Sequence, residues 1–170
     1  MKSILPVVAI LLLPACMGGG GGMAASAAPP PLPAATPVDP SFTSMLNQVR
    51  ADNSVAPLTQ DARLTAAAQL HSDDQYRMGR MTHIGSDGSG VEDRVRAQGY
   101  IPIIWGENVA RGHRDEHEVL FGNDVSIGWV DSPRHQANNI NPVFEDFGIA
   151  KTGSGSQRYW TLVFATEARP

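Results

Sequence analysis

Cysteine is almost missing from this chain: Cys16 is the only one in 170 residues. One thiol cannot close an internal disulfide, so neither a disulfide framework nor a dithiol redox pair is available within the chain. Basic clusters are missing as well. The formal net charge is −4, and Lys and Arg nowhere form a run, which removes the electrostatic footprint that binding to phosphate backbones requires. Nucleic acid is excluded as a partner. A long apolar run is also lacking. The stretch from Ile4 to Leu13, interrupted by Pro6, has ten residues, roughly half of what a helix needs to cross hydrocarbon.

That short run has another use. Met1-Lys2 provides a positive start, the apolar segment follows, and Leu13-Pro14-Ala15-Cys16 closes it, the order expected of a secretory signal. The closing residues resemble a bacterial lipobox, in which the cysteine is acylated and becomes the new N-terminus. The expectation is a signal peptide at 1–15 and a lipidated Cys16, with Cys16 incidental to an ordinary signal peptide as the alternative. Residues 16–40 then form a tether: Gly18 to Gly22 make it floppy, and "PPPLPAATPVDP" makes its end extended. This places the protein across the inner membrane, held in the envelope by lipid. Met17 rather than Asp after the cysteine favours the outer membrane by analogy.

Residues 41–170 carry every Phe, Trp and Tyr, so the core lies there. Ser41 is read as a cap before Phe42, Met45, Leu46 and Val49, which recur at helical spacing. Thr59 or Asp61 caps a longer helix with Leu64, Ala67, Ala68, His71, Gln75 and Met78 along one side. His71 on that stripe reads as a hydrogen-bonded core residue. "THIGSDGSG" breaks the helix, a short one follows at Val91 to Gln98, and Gly99 closes it. A further helix is expected from Asp115 to Asp131, weakened by Gly122 and Gly128. "FGIAKT" and "RYWTLVFAT" form a hairpin. Trp160, Leu162 and Phe164 share one face, and Tyr159, Thr161, Val163 and Ala165 the other. Both faces are apolar, so helices must cover both. The expected fold is mixed α/β (α+β), a three-layer α–β–α sandwich with a small antiparallel sheet.

Three polar landmarks fall in order: "HIGSDG" from His83, "GENVARG" from Gly106 and "WVDSPRHQANNINPVFEDFGIA" from Trp129. With "LNQVRADNSVAPLTQDARLTAAAQLHSDD" before them and "RYWTLVFA" after, they resemble the CAP family of cysteine-rich secretory, antigen 5 and pathogenesis-related proteins, also called SCP-like domains. The resemblance spans residues 44–166 and is strongest to the disulfide-free bacterial branch. It implies an α–β–α sandwich and a cavity lined by two histidines and two acids, able in some members to hold zinc or another divalent cation. On this resemblance His83 and His135 are the histidines and Glu107 the first acid, with Asn108 beside it. Ser132 stands where the second acid belongs. Asp131 is one step away, about 100° around a helix. Ser132-Pro133 is read as the N-cap and N1 of a short helix that puts His135 on its first turn, and Asn138, Asn139 and Asn141 satisfy the bend.

Two imidazoles and a carboxylate form a plausible zinc set with water in any open position. Glu107 can instead orient a histidine or take a proton from bound water. The alternative is a buried hydrogen-bonded network that locks three loops. "HRDEH", His113 to His117, fits the H-x-x-E-H pattern of some zinc proteases but lies at the charged entry to a glycine-broken segment, and is set aside. Two functions follow: an envelope-anchored module binding an unidentified ligand, lipid or envelope protein at the His/Glu cavity, or a metal-dependent hydrolase of peptides or envelope polymer, with Glu107 as the candidate catalytic group.

Overall fold

The computed structural model describes residues 31–33 and 37–168. The expected signal segment, Cys16 and most of the tether lie outside these residues. Helix α1, Ser41–Asp52, forms where Phe42, Leu46 and Val49 recur, and it buries all three. Its cap is not Ser41. Pro40 occupies that position, and the Ser41 amide donates instead to the Asp39 carboxylate at 2.8 Å. Arg50 lies on the same buried stripe, and its guanidinium donates to the carbonyls of Ala56, Asn139, Asn141 and Phe144. One arginine therefore ties α1 to the loops that follow it and that precede the last strands.

Strand β1, Thr59–Gln60, leads to α2, Ala62–Met78, which Asp61 caps by accepting from the Arg63 and Leu64 amides. Helix α3, Val91–Ala97, and strand β2, Pro102–Arg111, come next. Then come α4, Glu116–Phe121, a small hairpin of β3, Gly122–Asn123, and β4, Ser126–Ile127, and helix α5, Pro133–Asn139. Strands β5, Asp146–Thr152, and β6, Tyr159–Glu167, close the chain.

The helix expected from Asp115 to Asp131 is corrected here: it stops at Phe121. Gly122 has φ +82°, and a Cβ on Gly128 would lie 2.2 Å from the Gly122 nitrogen. The two glycines let the hairpin backbones lie directly against each other, a contact no side chain permits. Trp129 and Val130 then return beside the helix, their amides donating to the Val119 and Leu120 carbonyls.

The sheet runs β1-β5-β6-β2. β5, β6 and β2 are antiparallel; the two-residue β1 joins β5 in parallel. Every residue of β6 from Tyr159 to Thr166 is buried, as a central strand with two apolar faces requires. Trp160, Leu162 and Phe164 pack with Phe42, Leu46, Val119, Leu120 and Trp129. Val163 and Ala165 pack on the other side with Leu64, Ala67, Ala68 and Val95. Helices α1, α4 and α5 thus lie on one face and α2 and α3 on the other. The sandwich has three layers. Gly148 permits the close approach of α2, because a Cβ there would stand 2.1 Å from the Leu64 and Thr65 backbone.

Candidate functional site

Alternation along β2 divides the site. Glu107 pairs in register with Val163 and so points to the α2/α3 face; Asn108 pairs with Leu162 and points to the α5 face. The Glu107 side chain is 2% exposed, and both of its oxygens are engaged. Oε1 accepts from His83 Nδ1 at 2.8 Å, and Oε2 accepts from Arg94 Nη2 at 2.6 Å. His71 Nε2, which donates to the Thr82 carbonyl at 2.7 Å, stands 3.8 Å from Oε1. Four side chains from α2, α3, β2 and the loop after α2 converge at this point.

His83 is the exposed member, its side chain 55% accessible. Its Nδ1 proton is committed to Glu107, which leaves Nε2 as the nitrogen free to meet a ligand. The hydrogen bond to Glu107 raises its pKa, against burial, which acts to lower it. His71 is fully buried, and desolvation holds its pKa below the ordinary value.

The α5 face carries His135. Ser132 is the N-cap residue and Pro133 stands at N1, although no side-chain cap bond forms. His135 follows on the first turn, with its ring 6.4 Å from that of Trp129. Asn108 Nδ2 donates to the His135 carbonyl at 3.1 Å and to Asn139 Oδ1 at 3.0 Å, and Asn138 Nδ2 donates to Asn108 Oδ1 at 2.8 Å. The asparagines fasten α5 to β2. Ser132, His135, Trp129, Arg111, Arg114 and Met81 border a cavity of about 200 Å³. Burial lowers the pKa of His135, and repulsion from His83 adds to the effect.

Among the described residues no three His, Cys, Asp or Glu side chains are grouped so as to hold a metal ion. With Arg94 already on Glu107, a cation ligated by that carboxylate does not fit this arrangement. An imidazole-ligated ion, with Glu107 behind His83, does fit the chemistry of the two histidines. The "HRDEH" stretch is not a helical pair: His113 precedes α4, and Glu116 is engaged by Lys151 and by the Asp39 amide.

The family of cysteine-rich secretory proteins, CAP, matches residues 43–164, well over half of the chain. The chain belongs to the CAP family. The uncharacterized protein YkwD of Bacillus subtilis (strain 168) is 28% identical over 120 residues, covering 71% of this chain and 44% of that protein. The chain therefore spans less than half the length of this curated relative. An extracellular SCP-domain protein from Bacillus anthracis str. Ames superposes with a TM-score of 0.62 at 22% identity, over 75% of this chain and 39% of that one. An outer surface protein from Borrelia burgdorferi gives a TM-score of 0.64 at 18% identity, over 75% of this chain and 91% of that one. These likenesses show the fold, in agreement with the layers described above.

Arg94 is the residue that the motifs did not single out. Its signal was present: it sits three residues after Val91 and beside Val95, on the stripe by which α3 packs. An arginine on a buried stripe needs a carboxylate partner. Sequence alone could not say which.

Proposed function

We propose that this CAP domain is a binding module displayed in the cell envelope, and that it takes its ligand, a lipid or an envelope protein, at the surface between His83 and His135. The observation that carries this reading is the Arg94–Glu107 ion pair. Glu107 accepts from the Arg94 guanidinium with one oxygen and orients His83 with the other; as a general base it would have to give up a partner. Beside His83 the loop exposes Met81 and Ile84, which supply apolar contact around the imidazole. A divalent cation, where one takes part, is held by His83 Nε2 and His135, and Glu107 fixes the His83 tautomer. Envelope display rests on the signal-like N-terminus and on the extracellular and outer-surface descriptions of the two structural relatives.

Retention of purified Cys16→Ser protein, which lacks the proposed anchor, when it is added to isolated cell envelopes, together with an activity screen on peptides and envelope polymer with and without zinc, tests the binding reading. Retention lost in His83→Ala and His135→Ala, with no turnover, supports it. Zinc-dependent turnover abolished by Glu107→Gln would replace it with the hydrolase. For display, Cys16→Ser is expected to move the protein from the membrane to the soluble fraction, and unchanged membrane association would refute the anchor.

A further inference from the structure

The cavity of about 200 Å³ beside His135 has no carboxylate among its ten lining residues. In a chain of net charge −4 this end carries the opposite sign. Arg111 and Arg114 line the cavity, and Arg158 Nη1 donates to the Arg114 carbonyl. None of these three guanidiniums forms an ion pair among the described residues. The acids close to them in the chain are occupied or stand apart. Asp115 and Glu118 cap α4 reciprocally, and Glu118 also accepts from Asn123. Asp131, the neighbour of Ser132, is exposed and does not line the cavity.

The cavity wall also holds donors that the fold does not use. Arg114 Nη1 donates to the carbonyl of Ile127, itself a wall residue, at 3.0 Å, which fixes the guanidinium at the cavity. Its Nε–Nη2 edge makes no bond among the described residues, and that edge is the planar fork that matches both oxygens of a carboxylate. The Ser132 hydroxyl makes no cap bond. His135 is engaged through its carbonyl, by Asn108, while neither ring nitrogen bonds to a described residue. All three side chains are half-buried, and none of these unbonded atoms is sealed from solvent.

The rest of the wall limits what the anion can be. Val109 and Trp129 are buried behind it, and Met81 and Ile127 are 51% and 67% exposed at its edge. An inorganic ion would leave this apolar surface bare. Arg111 spends Nε, Nη1 and Nη2 on Ser156, Gly79 and Gln157, so Arg114 is the guanidinium with a whole edge to offer. One fork suits one negative charge better than a phosphate monoester, which carries nearly two. The volume equals roughly seven waters at about 30 Å³ each, room for a carboxylate and a few carbons.

We infer, on the reading that ligand meets the domain at the His135 surface, that this cavity seats a carboxylate bearing a short apolar group. The carboxylate lies on the Nε–Nη2 edge of Arg114 and accepts from Ser132 and His135, and the apolar group covers Met81 and Ile127. A peptide C-terminus and a free short-chain acid share this chemistry.

The test titrates N-acetyl-leucine, its neutral amide N-acetyl-leucinamide, isovalerate and inorganic phosphate into purified Cys16→Ser protein with EDTA present. The Arg114 Nε–H and His135 ring resonances are followed by NMR. Saturable shifts with N-acetyl-leucine and none with the amide are expected. Arg114→Gln is expected to weaken binding by roughly tenfold or more, and Ser132→Ala to weaken it less. Arg77→Gln, an equal charge loss on α2, leaves it intact. Ser132 makes no cap bond, so a parent-like melting temperature is expected of Ser132→Ala and keeps the test open if Arg114→Gln unfolds. Isovalerate binding as tightly as N-acetyl-leucine assigns the free acid; weaker isovalerate binding assigns the peptide terminus. Equal binding of the amide, preference for phosphate, or affinity unchanged in both variants would overturn the inference. Carboxylate binding without retention on envelopes refutes the envelope ligand and keeps the inference, and retention without carboxylate binding does the reverse.

Discussion

Arg94 Nη2 lies 2.6 Å from Glu107 Oε2, both side chains are nearly sealed from solvent, and the two residues come from different layers of the sandwich. The pair joins α3 to β2 at the point where His83 and His71 also meet the carboxylate. Its geometry sets the expected behaviour of the whole cluster.

Breaking that pair from either side leaves an uncompensated buried charge. Arg94→Met and Glu107→Leu are each expected to cost about 3–5 kcal/mol, and the double variant much less than the sum of the two. Urea unfolding of the four proteins measures the cycle. Additive losses would show that the two groups do not depend on each other.

His83 and His71 of the cluster, and His135 on the opposite face of β2, divide by pH. His83 is held above the ordinary value of 6.5, first by its bond to Glu107. The folded state therefore binds that proton more tightly than the unfolded chain. The resulting stability is fully present below about pH 6.5 and is lost as pH rises through the folded value. His71 and His135 are shifted down, first by burial. Their effect has the opposite sign: stability falls as pH drops below about 6.5, where the unfolded chain takes up protons that the folded state resists. Histidine NMR titration is expected to show His83 titrating highest of the three, and Glu107→Gln is expected to remove its upward shift. A parent in which His83 titrates below His135 contradicts the hydrogen-bond geometry.

Zinc binding, proposed for the His83–His135 surface, requires neutral imidazoles. Affinity is expected to drop between about pH 7.5 and pH 5.5. His83→Ala and His135→Ala are expected to abolish stoichiometric binding, and Glu107→Gln to weaken it by roughly 10–100-fold through loss of the oriented His83 tautomer. His113 and His117 serve as controls and leave binding unchanged. Calorimetric titration decides the matter, and absent or pH-independent heat leaves the cluster as a hydrogen-bonded lock.

Trp160 tests the layer assignment. It is 0% exposed on the face of β6 that packs against α1 and α4, with the Lys151 ammonium 5.0 Å from its ring centroid. Trp160→Ala is expected to cost about 3–5 kcal/mol. Thermal melting within error of the parent would place that face away from the core.

The sequence by itself determined the parts of this protein governed by local pattern and local chemistry. Period-2 alternation in "RYWTLVFAT" set the two faces of β6, and helical spacing set the buried stripes of α1 and α2. Asp61, one of two cap candidates with Thr59, marks the start of α2 because its side chain accepts within the first turn, and Pro133 marks that of α5 although Ser132 makes no side-chain cap bond. The ordered motifs placed His83, Glu107 and His135 as candidates for one site. Tertiary structure decided what depends on residues far apart in the chain. Gly122 and Gly128 were read as weak points of one helix, and only their mutual close approach turns the segment into a hairpin. Arg94, an ordinary surface-type residue in a short helix, acquires its role only when α3 docks beside β2 and brings a carboxylate within 2.6 Å. His71 needs the same docking to stand 3.8 Å from Glu107. Pattern reports which side of an element is buried; which partner waits there is set by the packing of layers, because a buried charge is tolerated only where the fold supplies its counter-charge.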